Sequence, residues 1–414
     1  MTVARSGASE AAEGTTGDGR AEAARRLGIA ALLGVMTIVV YGATFYLMAV
    51  LAPAVVAETG WPLPLVVGGL SVGLLVSGVV APWVGRRIEL GGGRAILPHG
   101  CLVIAAGSVL LALADSLWFY CVAWIVLGVG MGCTYYSAAF ATLGRQFGQR
   151  ARGLITALTL VAGFSSTLCW PLSAALVHWI DWRNTCLVYA GALVLCAAAV
   201  RWLLPLPPEH GAPPTSRAAG TAQPPAPPGI KLWLLIALGL CFAISSTITA
   251  VVSVHLISLL GARGVDVAAA VAIGTLIGPS QVGARALEFL IGRKVHPLWT
   301  LVVSGALMAI GLLLLAAGWG WIALGFVLYG GGVGLRSIVN GTVPLVLVGA
   351  RGYATVMGKL AAPSLVMQAL APIGAAELLS RGTSGGGLLL WILAGSALFN
   401  VVLAVILLRA GSRR

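Results

Sequence analysis

The fold is decided at Gly85-Arg86-Arg87-Ile88-Glu89-Leu90-Gly91-Gly92-Gly93-Arg94, a charged stretch that lies between two apolar runs, residues 64–84 and 95–114. Neither run contains Asp, Glu, Lys or Arg. Each is long enough to cross a bilayer as a helix, which takes about 20 residues. A short charged turn between two such helices predicts a protein that crosses the membrane several times.

This turn recurs in the second part of the chain. From Gly283 the sequence reads Gly-Ala-Arg-Ala-Leu-Glu-Phe-Leu-Ile-Gly-Arg, so both copies share a Gly, an Arg two residues on, a Glu, and a Gly-Arg pair. A proline follows each copy, at Pro98 and Pro297. A loop that occurs twice indicates a duplicated fold.

The composition requires a bilayer. Of the 414 residues, 59% are hydrophobic and only 9% are charged, with a mean hydropathy of +0.99. Soluble domains carry about 25% charged residues. The net charge of +13 lies in short loops on alternate sides of the helices, which is typical of membrane topology and excludes a nucleic-acid partner. All seven cysteines fall in apolar runs, as expected of small core residues.

Hydropathy predicts an all-α membrane protein with twelve transmembrane helices in two six-helix bundles, joined by a linker and flanked by tails. The first half, 27–204, and the second half, 231–408, each form one bundle. Residues 1–26 are expected to be a disordered tail, 205–230 a Pro-rich linker, and 409–414 a short tail. The predicted helices are 27–56, 64–84, 95–114, 117–143, 154–178, 183–204, 231–260, 266–291, 298–317, 319–347, 354–378 and 384–408.

Lys and Arg are strongly biased towards one side of these helices. With the N-terminus inside, the outer loops hold only Arg183, Arg263 and Arg381. This bias predicts that both termini, the linker and the tails are cytoplasmic.

Together these features resemble the major facilitator superfamily over 27–408. Its signature at the first loop is matched by Gly85, Gly92 and Arg94, whereas Glu89 replaces the family's Asp and Leu90 its usual Arg. Asp181-Trp182-Arg183 resembles a Trp-Arg pair that the family has at the same boundary. The Tyr-Gly-x-Thr-Phe-Tyr of Tyr41–Tyr46 is similar to bacterial carriers akin to monocarboxylate transporters.

The resemblance implies alternating access around a midplane site on helices one, four, seven and ten. Polar and aromatic residues at mid-depth are the candidates for the substrate pathway. They are Tyr41, Thr44, Tyr135, Tyr136, Trp170, Ser246, Arg336 and Asn340. Adjacent helical residues cannot face one cavity, so one of the two neighbouring tyrosines is expected to line it. For Arg336 two interpretations stay open, a substrate-facing cation and a side chain that reaches the headgroups.

The two copies of the charged turn are expected to form a gate between the halves. Their arginines and glutamates would pair with helix ends of the opposite half, and the leading glycine would permit close packing; the alternative is that these charges only set topology. The predicted gating residues are Gly85, Arg86, Glu89, Arg94, Gly283, Arg285, Glu288 and Arg293.

We therefore expect a secondary or facilitative transporter of a small organic solute, favoured to be an anion such as a monocarboxylate because the buried charge is positive. Alternatives are efflux of an amphipathic or thiophilic toxic compound along Cys133 or Cys169, and a membrane sensor without transport. No acid or histidine lies at mid-membrane, so either proton coupling is absent or the proton travels on the solute itself. Without a P-loop or HExxH motif the chain is predicted not to be an enzyme and to need no cofactor or metal. A monomer in a bacterial cytoplasmic membrane is expected.

Overall fold

The computed structural model describes residues 6–206, 231–261, 263–292, 295–317 and 320–411. Within these residues the regular structure is entirely helical. The linker core, 207–230, and the residues at both extreme ends of the chain lie outside the described part.

The first half contains eight α-helices and two short turns of other helix types. They are α1 (Ser6–Tyr41), a π-helical turn (Gly42–Tyr46), α2 (Leu47–Thr59), α3 (Leu63–Gly91), α4 (Gly93–Ala112), α5 (Leu117–Thr134), α6 (Tyr136–Phe147), a 3₁₀ turn (Gly148–Arg150), α7 (Ala151–Ala162) and α8 (Ser165–Leu203). Helix α8 is kinked at Asp181, whose φ of 70° is left-handed. The carboxylate of Asp181 then accepts a hydrogen bond from the Asn184 amide, 2.9 Å away, and so caps the second part of the helix.

The second half contains seven helices. They are α9 (Leu232–Gly261), α10 (Val267–Gly274), α11 (Ile277–Ile291), α12 (Pro297–Ala317), α13 (Ile322–Val348), α14 (Tyr353–Leu379) and α15 (Gly382–Gly411).

All twelve predicted membrane segments are helical in the structure. In the described ranges, nine continuous helical stretches are long and apolar enough to cross a bilayer. One of these, 117–203, holds three predicted helices, whereas the predicted helix 266–291 is divided between α10 and α11 and is not among the nine. The sequence-based count of twelve segments therefore agrees with an all-α membrane bundle.

Two boundaries differ from the sequence-based expectation. Helix α1 begins at Ser6, so most of the segment expected to be a disordered tail is helical, with Arg26 paired to Glu22 one turn earlier at 2.9 Å. The charged stretch Gly85–Arg94 is not an extended turn. Helix α3 continues to Gly91, and only Gly92, with a φ of 75°, separates it from α4.

The two halves are packed together along α3 and α14. Near one end of this pair, Ser71 donates a hydrogen bond to the Ala369 carbonyl at 3.3 Å. Towards the other end, the buried core of the first half continues into Tyr353, Ala354 and Met357 of α14. We call this second end, which carries Arg86, Arg94 and Arg145, the basic end of the bundle.

Gly85 permits the closest approach of the two helices at the basic end. A Cβ atom at this position would lie 2.4 Å from the Ala354 carbonyl oxygen and 3.0 Å from the Gly358 backbone. Both obstacles are backbone atoms, which cannot rotate away.

The variant Gly85→Ala is therefore expected to destabilise the packed state by about 1–3 kcal/mol through overpacking. A fall in the thermal unfolding midpoint in detergent measures this effect. Gly68→Ala on the same helix is the matched control, because nothing lies within 4 Å of its added Cβ. An equal midpoint for both variants would contradict the close approach.

Candidate functional site

A cluster of aromatic side chains lies in the middle of the first half. The rings of Tyr41 and Tyr135 are stacked with centroids 4.3 Å apart, and Tyr136 is tilted against Tyr41 at 5.3 Å. Tyr46 contacts Trp170 edge to face at 6.0 Å. We call these five residues the aromatic cluster.

Two irregularities of the backbone bring this cluster together. Gly42–Tyr46 forms a π-helical turn. Such turns are rare in proteins as a whole, and those that occur are often found at functional sites. Helix α5 ends at Thr134, and Tyr135 takes an extended conformation with a ψ of 173° before α6 begins. Because of this break both rings contact Tyr41. Tyr135 is only 3% exposed, whereas Tyr136 is partly exposed, so the expectation that one of the two lines the pathway stays a prediction.

Thr44 supports the cluster rather than lining it. Its side chain is fully buried, donates to the Val40 carbonyl at 2.6 Å and shares a 3.0 Å hydrogen bond with the Tyr135 hydroxyl. This second bond fixes the orientation of the Tyr135 ring.

Arg336 lies near the middle of α13, since the helix begins at Ile322 and ends at Val348. Its Nη2 donates to the Ser246 hydroxyl at 2.6 Å and to the Phe242 carbonyl at 3.1 Å. Its Nε is buried and has no hydrogen-bond partner in the described part of the chain. The side chain is therefore turned into the bundle, towards α9, and not towards the headgroups.

Arg285 is a second buried guanidinium, and only 6% of the residue is exposed. Its Nε donates to the Ser337 hydroxyl at 2.9 Å, and its Nη2 to Gln281 Oε1 at 3.2 Å. In the described residues, no Asp or Glu oxygen lies within the 4.0 Å of an ion pair for Arg285 or Arg336. Both cations are thus held by neutral groups alone.

The two arginines face the aromatic cluster across the boundary between the halves. The guanidinium of Arg336 lies close enough to Tyr41, and that of Arg285 to Tyr46 and Tyr136, for its charge to act on these side chains. Tyr41, Tyr46, Tyr136 and Arg336 are each partly exposed. Part of each of these side chains is therefore not covered by neighbouring residues.

Two further polar atoms on α13 are left without a partner in the described structure. They are Oδ1 of Asn340, one turn after Arg336, and the hydroxyl of Tyr329, which is 2% exposed. Tyr329 was missed in the sequence, although it precedes Arg336 by two helical turns and so shares its face.

Glu89 joins the halves at the basic end. Its carboxylate oxygens accept hydrogen bonds from the backbone amides of Gly352, at 2.8 Å, and Ala354, at 3.0 Å. These amides belong to the start of α14, where the helix dipole favours a negative charge. Arg145, which the sequence did not indicate, donates to the Glu89 carbonyl at 2.9 Å.

The other first-copy arginines do not pair with the opposite half as expected. Arg94 donates to the Arg201 carbonyl at 2.9 Å, within its own half, and Arg86 is exposed.

The second copy of the turn differs from the first. A Cβ atom at Gly283 would meet nothing within 4 Å, so this glycine does not mediate close packing as expected. Glu288 accepts from the Thr300 hydroxyl at 3.1 Å within the same half. Hydrogen bonds between the halves are made here by Arg152, which donates to the carbonyls of Gly292, at 2.7 Å, and Val295. Arg293 lies outside the described residues.

The two cysteines considered for a thiophilic solute are packing residues. Cys133 packs against Gly100, and Cys169 packs against Gly42. A Cβ atom added at either glycine would overlap the neighbouring cysteine side chain. This packing gives no support to toxin efflux along these thiols.

Comparison with known proteins shows the family. Residues 33–372 match the model of the Major Facilitator Superfamily, and the chain therefore belongs to this family of membrane transporters, which are not enzymes. The monocarboxylate-transporter-like branch stays a prediction. A comparison with curated proteins found no match.

Solved transporters share the fold at low sequence identity. The human organic anion transporter MFSD10 (TETRAN) is 18% identical with a TM-score of 0.71, over 92% of this chain and 99% of that one. The proton:xylose symporter XylE, bound to 6-bromo-6-deoxy-D-glucose, is 13% identical with a TM-score of 0.66, over 91% and 94%. Such likeness defines the architecture alone.

If Glu89 holds the basic end closed, Glu89→Gln should open it more often, because removing a charge at a helix N-terminus costs about 0.3–2 kcal/mol. Spin labels attached through Arg150→Cys and Arg351→Cys, which are exposed on opposite halves, report the separation. We expect a new population at longer distance. The same charge change in exposed Glu377→Gln, on α14, is the control. Identical distance distributions would show that Glu89 is not a latch.

Proposed function

We propose that this protein is a secondary transporter of a small organic anion, of which a monocarboxylate is the simplest case, and that the anion binds between the aromatic cluster and the two buried arginines. The observation that carries this proposal is the pair of guanidinium groups, Arg285 and Arg336, inside the bundle without a carboxylate partner in the described residues.

Charge is the reason that an anion fits this site better than a neutral solute. A buried ion loses hydration worth several kcal/mol, which hydrogen bonds to neutral hydroxyls restore only in part. A carboxylate offers two oxygens to the planar fork of a guanidinium and forms short, charge-assisted hydrogen bonds. The partnerless Nε of Arg336 supports the same proposal, because that donor would gain an acceptor when the anion binds.

The aromatic cluster would hold the organic part of the solute. Tyr41 contacts both Tyr46 and Tyr136, and Tyr46 contacts Trp170, so these rings form one continuous aromatic wall. Rings of this kind pack against apolar or aromatic groups, whereas their hydroxyls supply hydrogen bonds. Ser246 and Asn340 add neutral polar groups on the arginine side of the site.

Alternating access would expose this site to each side in turn. The packing of α3 against α14, together with Glu89, supports a state closed at the basic end. We infer that this end is cytoplasmic, from the excess of Arg in its loops, and that the protein resides in a bacterial cytoplasmic membrane as a monomer. A proton would accompany the solute as its acid, since mid-membrane carboxylates are lacking in the sequence.

The proposal is tested by uptake of labelled carboxylates into proteoliposomes. Arg336→Ala is expected to reduce uptake about 10- to 100-fold, because a hydrogen bond to a charged group contributes about 1.5–3 kcal/mol. Arg336→Lys keeps the positive charge but lacks the planar fork of the guanidinium. Its uptake rate should therefore lie between those of the wild type and Arg336→Ala.

Arg381→Ala is the matched control. Arg381 is exposed, lies between α14 and α15, and is distant in the sequence from Arg336. Unchanged thermal unfolding of all three variants would separate a transport defect from misfolding. Uptake by Arg336→Ala at the wild-type rate would refute an anion site at this residue.

A further inference from the structure

Gly163 lies at the junction between α7 and α8, in the first half of the chain. Its φ of −60° and ψ of −23° are those of an ordinary helix. Any L-amino acid adopts this backbone conformation, so the main chain does not require glycine here.

The space at Gly163 is occupied by Arg285 of the opposite half. A Cβ atom at position 163 would lie 2.3 Å from Nη1 of Arg285, which is well inside contact distance. The guanidinium of Arg285 therefore crosses from α11 to the wall formed by α7. Its other two nitrogens are held by Ser337 at 2.9 Å and Gln281 at 3.2 Å.

We propose that Gly163 is a specificity-determining residue, whose missing side chain lets Arg285 reach across the boundary between the halves and face the anion. This inference rests on the proposed anion-transport function. In this arrangement Gly163 touches no solute; it acts by setting the position of a cation that does. Its effect therefore appears in affinity for the anion and not in the stability of the fold.

The chemistry of the contact explains why the fold would tolerate a larger residue. The nearest atom to an added methyl group is the end of a long, flexible side chain, which moves by rotating its χ angles. The next two atoms, the carbonyl oxygens of Leu160 and Thr159 at 3.1 Å, belong to the preceding turn of the same helix. Arg285 would then withdraw and lose the hydrogen bond to Ser337 or Gln281, while α7 and α8 keep their backbone. Gly163→Ala thus removes the guanidinium from the site without removing the residue.

Gly153 provides a matched control on the same helix. It is exposed, and a Cβ atom added there would meet nothing within 4 Å. Gly153→Ala and Gly163→Ala make the same chemical change in α7, and only the second one reaches Arg285.

The experiment measures the dissociation constant of the carboxylate that stabilises the wild-type protein most, selected from a panel by thermal shift in detergent. We expect Gly163→Ala to weaken binding about tenfold or more, close to the loss in Arg285→Gln. Gly153→Ala should bind like wild type. The ligand-free unfolding midpoints of both alanine variants should stay at the wild-type value or above, since alanine favours a helix.

Combined variants test whether Gly163 acts through Arg285. In Gly163→Ala/Arg285→Gln the two losses should not multiply, because the second change removes the group that the first one displaces. In Gly163→Ala/Arg285→Lys, binding should recover relative to Gly163→Ala alone, because lysine has no forked Nη1 to collide with the methyl group.

Three results would overturn the inference: wild-type affinity in Gly163→Ala, losses that multiply in the first double variant, or no recovery in the second. If the wild-type protein itself binds no carboxylate of the panel, the proposed function fails as well. Since the wild type is measured first, the two failures are distinguishable.

Discussion

The guanidinium groups of Arg285 and Arg336 must be solvated inside a bundle of apolar helices. An arginine at the centre of a membrane helix costs about 3 kcal/mol or more, and both side chains point inwards rather than to the headgroups. The described residues supply hydroxyl, amide and carbonyl oxygens to them, but no carboxylate. This imbalance of charge is the reason that we propose an anion as the solute.

The two halves contribute different chemistry to that space. The first half provides stacked tyrosines, placed by the π-helical turn in helix one and the break at Tyr135. The second half provides the cations, each anchored on α13 or its neighbour α9. At the basic end the halves are held by a different interaction, in which Glu89 caps the first turn of α14. In the proposed mechanism, a solute bound in the middle and the Glu89 carboxylate at the end would act on the same boundary between the halves.

The sequence predicted the features that depend on local pattern. Hydropathy identified the membrane segments, and the cost of burying charge singled out Arg336. The close approach at Gly85 and the contact of Glu89 with a helix end were expected as well, although their gating role stays a prediction. The break at Tyr135 was not foreseeable, because nothing in the apolar run 117–143 marks a change of backbone conformation. The role of Gly163 was missed and that of Gly283 was misjudged for a similar reason. The atoms that pack against a glycine lie on another helix, and no spacing within its own segment reveals them.

A comparison of carboxylates with their own amides tests most directly whether an anion binds at Arg285 and Arg336. Each pair matches in shape and differs in charge, so the difference in thermal stabilisation of the wild-type protein isolates the contribution of the anion. We expect at least one small carboxylate to stabilise the protein, and its amide to bind at least about tenfold more weakly. Equal stabilisation by acid and amide throughout such a series would contradict an anion site at Arg285 and Arg336.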